Sequence, residues 1–292
     1  MEKEYSYEKA SKTNSENDFL NLQSFLFVTS TQITKILFRT SITPHQVIFI
    51  SMIFGITASY LIIQENKIIV IIGAVLLFYK NVLDKVDGSL ARVKGLDSRR
   101  GRFYDSLADF VVTLTIYSAI TYKLTLEYKN DFVFVIGFLA MVFSMLQCSF
   151  FIYYQVSFIK HSGKQTVNRV IESITKEDLK TQDKWTLFLQ RVFMIIYGWQ
   201  DILVKKLDGA LYSKLNSKFK IQNSKLDKCW YQNKPFLTLA SSLSIGTHIF
   251  LICITAIIDK FEYYLFMNLI FMNLLLIFAV IYHYNSVKNK LI

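Results

Sequence analysis

Asp84, Asp87, Asp105 and Asp109 form two pairs of carboxylates, three and four residues apart, within the stretch DKVDGSLARVKGLDSRRGRFYDSLAD. Residues at that spacing share a helix face, so each pair points two carboxylates the same way. The link from Gly88 to Gly101 is short enough to fold a second helix back on the first and bring the pairs together. Solvated loop acids would not keep such spacing. Four clustered carboxylates repel one another and raise one another's pKa unless positive charge joins them. Two divalent cations would cancel that charge, and all-oxygen ligands suit Mg²⁺, Mn²⁺ or Ca²⁺ better than zinc. Paired hard cations clamp phosphate during displacement reactions. Gly88 and Ala91 leave one helix face nearly bare for a flat or bulky group. Arg92, one turn on, can fork onto phosphate oxygens. Gly101 predicts a bend where the next helix begins.

The elements that must position these residues belong to a membrane protein. The chain has 292 residues, 52% of them hydrophobic and 15% aromatic, only two prolines and a mean hydropathy of +0.33. Uncharged windows at Gln46–Ile63, Phe132–Ile159, Pro235–Ile258 and Tyr263–Val287 can each cross a ~30 Å hydrocarbon core. Two weaker windows, Ile68–Tyr79 and Ser106–Tyr122, flank the carboxylate stretch and complete a prediction of six transmembrane helices. An ionised Asp at bilayer depth costs roughly 3 kcal/mol, so the acids near these spans need a partner.

Lys and Arg number twenty-seven in the segments on the amino-terminal side of those spans and four on the other side. That asymmetry predicts both termini and the carboxylates on the cytoplasmic side. It also places most of the net charge of +11 where anionic lipid headgroups attract it. The charge is scattered rather than presented by a recognisable module, so nucleic acid is not an expected partner.

The organisation predicted is a cytoplasmic segment 1–42, transmembrane helices one to four in 43–159, a basic insertion 160–234, and helices five and six with a short tail in 235–292. Within the first segment, Phe19, Leu22, Leu26, Ile33, Ile36 and Leu37 recur at helical spacing, which suits an amphipathic helix on the membrane. In the insertion, Arg191 and Asp201 leave nine uncharged residues between them, too few to cross. That stretch predicts an interfacial helix or one packed on the cytoplasmic face. Tyr153, Tyr154, Trp185, Tyr197, Trp199, Tyr263 and Tyr264 read as an interfacial belt. His283 is expected near a membrane boundary and His161 in a basic loop. Cys148, Cys229 and Cys253 lack metal-type spacing and read as packing residues.

The order Asp84-x2-Asp87-Gly88-x2-Ala91-Arg92-x8-Gly101-x3-Asp105-x3-Asp109 resembles, at all eight positions, the signature of the CDP-alcohol phosphotransferases. The motif covers 26 residues, and the six-helix layout extends the likeness to roughly Thr43–Tyr284. The start of the first span departs from the family pattern: TPHQVIFIS has His45 and Ile48 where members often have Asn and Thr. The resemblance implies that Asp84, Asp87 and Asp105 bind a first Mg²⁺ or Mn²⁺ ion, and that Asp105 and Asp109 serve a second. It implies Asp109 as general base, and Gly88, Ala91, Arg92 and Gly101 as the CDP site. It also implies a homodimer, for which Gly137, Ala140 and Ser144 offer a strip of small residues.

The expected activity is transfer of a phosphatidyl group from CDP-diacylglycerol to a small hydroxyl acceptor such as inositol or serine, with CMP leaving. His248, beside Ser241, Ser242, Ser244 and Thr247, is a candidate for the acceptor pocket, as are Arg99 and Arg102. No Lys or Arg lies between Pro235 and Ile258 or between Tyr263 and Val287, which favours an acceptor without phosphate. A CDP-choline or CDP-ethanolamine donor with diacylglycerol as acceptor uses the same core and stays open. A divalent-cation transporter is the alternative of another class, and acids crowded at the ends of two helices favour an enzyme.

Overall fold

The computed structural model describes residues 5–10, 26–163, 166–219 and 223–292, and among them there is no strand. Short helices come first, α1 Tyr7–Ala10 and α2 Phe27–Phe38, followed by four long ones: α3 Pro44–Leu61, α4 Lys67–Lys94, α5 Arg99–Tyr128 and α6 Phe132–His161. The insertion forms α7 Lys176–Thr181, α8 Lys184–Phe219 and α9 Asn223–Tyr231. The chain finishes with α10 Lys234–Ala240, α11 Ile245–Ile257, α12 Phe261–Phe266 and α13 Asn273–Leu291, the last two joined without a break by a π-turn, Met267–Met272. Long uncharged runs surrounded by lipid must satisfy their backbone groups internally, and helices do that within the segment. The protein is an all-α membrane protein.

By length and apolarity five helical segments can cross a membrane: α3, α5, α6, α8 and Phe261–Leu291; the pair Ser224–Leu243 and Ile245–Ile257, bent by 42°, would make a sixth. The bend falls at Ser244, whose extended backbone (ψ 156°) interrupts the helix. This set differs from expectation in one helix gained and one lost. The nine uncharged residues before Asp201 sit inside a 36-residue helix, so α8 qualifies, while Lys80, Asp84, Lys85 and Asp87 break the apolar run of α4.

Contacts distinguish these two helices. α4 runs antiparallel to α3, with Gly73 closely facing Ala58, Leu61 and Ile62 at one end and the Ser51 hydroxyl donating to the Lys80 carbonyl at the other. It runs antiparallel to α11 as well, through Cys253 Sγ to the Ala74 carbonyl and Asn81 to the Gly246 carbonyl. α8 instead meets the first turns of α5 through Phe193 on Phe103, then the later part of α6 through Gln200 on Ser149 and Asp208 on Tyr153. Its far end packs Leu215 against Trp230 and Val287. It therefore runs from the start of α5 over the later half of α6 to α9 and α13.

The amino-terminal segment reaches the later half of α4. Leu26, Ile33, Leu37 and Phe38 pack on Val82, Val86 and Leu90 of α4, leaving Phe27, Val28 and Ile36 exposed. Phe19 and Leu22 of the expected amphipathic stretch lie outside the described residues.

Several local expectations are corrected. α4 continues past Gly88 to Lys94 and stops where Gly95 takes a left-handed conformation (φ 66°); α5 starts at Arg99, capped by the Ser98 hydroxyl accepting from the Gly101 amide. The bend is therefore at Gly95, and Gly101 lies inside the first turn of α5. Gly137, Ala140 and Ser144 are buried within the chain, where a Cβ on Gly137 would collide with Thr121 of α5. Helix–helix contact inside one chain uses up that strip. Tyr153, Tyr154 and Tyr264 are buried rather than interfacial. So is His283, enclosed by Trp230, Phe236 and Tyr154.

Candidate active site

The α4–α5 hairpin brings three of the four signature acids to one point. Oxygens of Asp84, Asp105 and Asp109 all lie within 4.8 Å of one another. Oxygens on opposite sides of one hard cation are separated by ~4.2 Å for Mg²⁺ and ~5 Å for Ca²⁺, so three carboxylates at this spread fit a single such ion. Asp87 is outside this triad, although it is only 4% exposed and lies within electrostatic reach of all three.

Sequence reasoning gave Lys80 no role, yet it joins two of the three converging acids. Its side chain is 2% exposed, and its ammonium donates to Asp109 and to Asp84, the latter at 3.3 Å. The available signal was its place one turn before Asp84, at a spacing that puts both on one helix face.

The residues expected to bind CDP follow Asp84 on α4 and precede Asp105 on α5 by one to two turns. Gly88 leaves room for Arg92, whose Nη1 is 3.4 Å from where a Cβ would sit. Arg92 Nε donates to the Ala10 carbonyl at 2.8 Å and Nη2 donates to Ser89 Oγ at 3.2 Å, so the amino-terminal segment rests on this guanidinium. Gly101 admits the His45 ring, whose Nε2 would be 3.3 Å from an added Cβ. His45 also meets the Tyr104 ring edge-on at 5.4 Å. Its neighbour Gln46 is committed to a capping box with Thr43 that starts α3. An open groove nearby is lined by Ile42, His45, Gln46, Phe49 and Ile50, and by no residue of the signature.

The acceptor candidates separate. His248 is buried deep in the bundle, with Nδ1 3.1 Å from the Tyr264 hydroxyl, which also bonds Tyr117; Asn268 donates to Tyr117 at 2.8 Å. Arg99 and Arg102 both donate to Glu172, at 2.5 and 2.6 Å. Arg169 grips Asp178 with two bonds of 2.6 and 2.8 Å, and Gln190 donates to Glu172 at 2.8 Å. The Arg169 hydrogen bonds hold the Asp178 carboxyl well below the usual range. Arg100 pairs with Asp183 at 2.6 Å. These contacts tie the insertion to the first turn of α5.

Comparison with known proteins agrees with the geometry. Residues 41–214 match a family model for CDP-alcohol phosphatidyltransferase. Over 106 residues the chain is 31% identical to the archaetidylinositol phosphate synthase of Pyrococcus horikoshii, an alignment covering 36% of this chain and 55% of that relative's length. With the full signature folded into one hairpin and the match extending from α3 into α8, the chain belongs to the CDP-alcohol phosphatidyltransferase family.

Proposed function

We propose that the protein is a multi-pass membrane transferase of phospholipid synthesis, moving a phosphatidyl group from a CDP-linked lipid to a small hydroxyl acceptor. The observation that carries this reading is the convergence of Asp84, Asp105 and Asp109 within 4.8 Å, in a chain of this family. The hydroxyl oxygen of the acceptor forms a bond to the lipid-side phosphorus as the bond to the CMP phosphate oxygen breaks. Asp109 takes the hydroxyl proton. Asp84 and Asp105, with Asp87 close by, would hold a first Mg²⁺ or Mn²⁺, and Asp105 and Asp109 would serve a second. Such ions, when bound, neutralise charge on the pyrophosphate and the departing CMP. At Gly88 and Gly101 the missing side chains let Arg92 and His45 come close to the backbone, and in this reading the Arg92 guanidinium supplies positive charge to the nucleotide phosphates.

The topology we propose counts α4 as the second of six spans, because it lies alongside α3 and α11, and puts α8 across the cytoplasmic end. Both termini and the carboxylates are then cytoplasmic, as the Lys and Arg distribution favours. A homodimer of this unit is part of the proposal.

For the acceptor, an unphosphorylated polyol such as inositol is the first reading. Its support is that Arg99, Arg102 and Arg169 are engaged by Glu172 and Asp178, and that the last two spans carry no cation. Inositol phosphate is the second, favoured by the name of the Pyrococcus relative. Purified protein given labelled CDP-diacylglycerol, Mg²⁺ and a panel of acceptors should release CMP in step with one lipid product. A much higher kcat/KM for inositol phosphate than for inositol selects the second reading. Turnover with CDP-choline and diacylglycerol selects the reversed donor. Metal uptake into vesicles, without CMP release from any CDP donor, would reject the transferase.

A further inference from the structure

A lysine buried among apolar side chains needs a counter-charge, and Lys80 has more than one. α4 presents it between Leu77 and Val82, both fully buried, and the Ser51 hydroxyl holds its backbone carbonyl at 3.3 Å. Its ammonium contacts two of the three carboxylates that could hold a cation, Asp84 and Asp109. Its closer contact is with Asp109, the acid assigned to the proposed second ion.

Charge decides when that place is contested. Four carboxylates, the Lys80 ammonium and one divalent ion come to a single negative charge, before the Arg92 guanidinium that acts on Asp87 is added. A second divalent ion would make the site positive, and Lys80 would repel it across a few ångströms of dry interior. A CDP-linked donor carries one negative charge on each phosphate of its pyrophosphate, which restores the attraction.

We infer that Lys80 is a resident counter-cation at Asp109, so that the protein binds one divalent ion by itself and a second only together with the donor's pyrophosphate. Lys80 is thus a positioning residue, holding Asp84 and Asp109 in place until the donor arrives. This rests on the proposed cation site.

The test counts bound Mn²⁺, from the loss of the free-ion paramagnetic resonance signal, on full-length protein in lipid nanodiscs. Wild type is expected to bind one Mn²⁺ tightly alone and two with CDP present, the second at least tenfold tighter than without nucleotide. Lys80→Met should bind two without nucleotide, and Lys80→Arg should behave as wild type. The wild-type comparison with and without CDP decides the matter even if Lys80→Met does not fold. Two equal sites in wild type without nucleotide, or a second site that CDP does not tighten, overturns the role of Lys80 while leaving the cation site standing. No Mn²⁺ on any variant, or binding unchanged in Asp105→Asn, overturns the cation site itself.

Discussion

Two charged clusters lie at the same end of this bundle and are built on opposite principles. Around Glu172 and Asp178, each carboxylate is met by guanidinium groups from Arg99, Arg102 and Arg169 and by the Gln190 amide. At the signature, Lys80 pairs with Asp84 and Asp109, and three of the four carboxylates converge on a point. A matched cluster needs no visitor, so its energy goes into fixing the insertion against α5. A cluster in which acids outnumber the bases touching them attracts positive charge, which is why the signature is the proposed site. Charge density alone therefore does not identify function; charge balance does.

The largest expected effect separates the clusters by chemistry. Asp109→Asn should lower kcat by ~10²–10⁴-fold, the usual worth of a positioned base, while donor binding stays measurable. A near wild-type rate would remove Asp109 as base. Excess chelator should likewise stop turnover but leave the insertion's hydrogen-exchange protection unchanged; full activity in chelator would end the metal account.

Glu172→Ala should do the reverse, costing ~3–5 kcal/mol of stability because three guanidinium groups lose a buried partner. The Glu172 side chain has no exposure, so water cannot readily replace it. Unfolding in graded denaturing detergent measures the loss, and residues 166–183 should become protease-sensitive first. Should kcat fall as far as in Asp109→Asn, the two clusters are not separate.

Acid should loosen the insertion only at low pH. Asp178 is held below its ordinary pKa by Arg169, and Asp183 is lowered to about 2 by the Thr186 hydroxyl and Arg100. Acids depressed in the folded state contribute stability above their unfolded pKa, about 4, and lose it as pH falls toward the folded value. Protection of residues 166–183 should thus hold from pH 7 to about 4 and decline below; decline beginning near pH 6 would contradict it. Smallest of all, Arg100→Met removes a largely exposed pair and should leave both stability and turnover unchanged within error.

Much of this was legible in the residues. Local spacing carries the helix pairing of the acids, because Asp84 and Asp105–Asp109 need only helical periodicity and a short connection to meet. Lys80 was hidden by the same logic that found the spans: a charge at the edge of an apolar window reads as a boundary. The engagement of Arg99 and Arg102 was illegible because their partner is remote in sequence and no periodicity links the two. Tyr153 and Tyr154 resemble an interfacial belt until Asp208 is seen accepting from both hydroxyls, at 2.9 and 2.8 Å. That pairing too depends on a helix remote in sequence, α8.

The hairpin turn at Gly95 bears on the order in which the chain assembles. The Lys80–Asp109 contact closes over 29 residues, whereas Arg99–Glu172 closes over 73. The longer loop costs about 0.8 kcal/mol more in closure entropy and waits on α6 and the insertion to be synthesised. A nascent chain released only as far as the end of α5 already contains every signature acid and the lysine among them. The proposed reactive centre can therefore be assembled co-translationally, with the insertion fastened down afterwards.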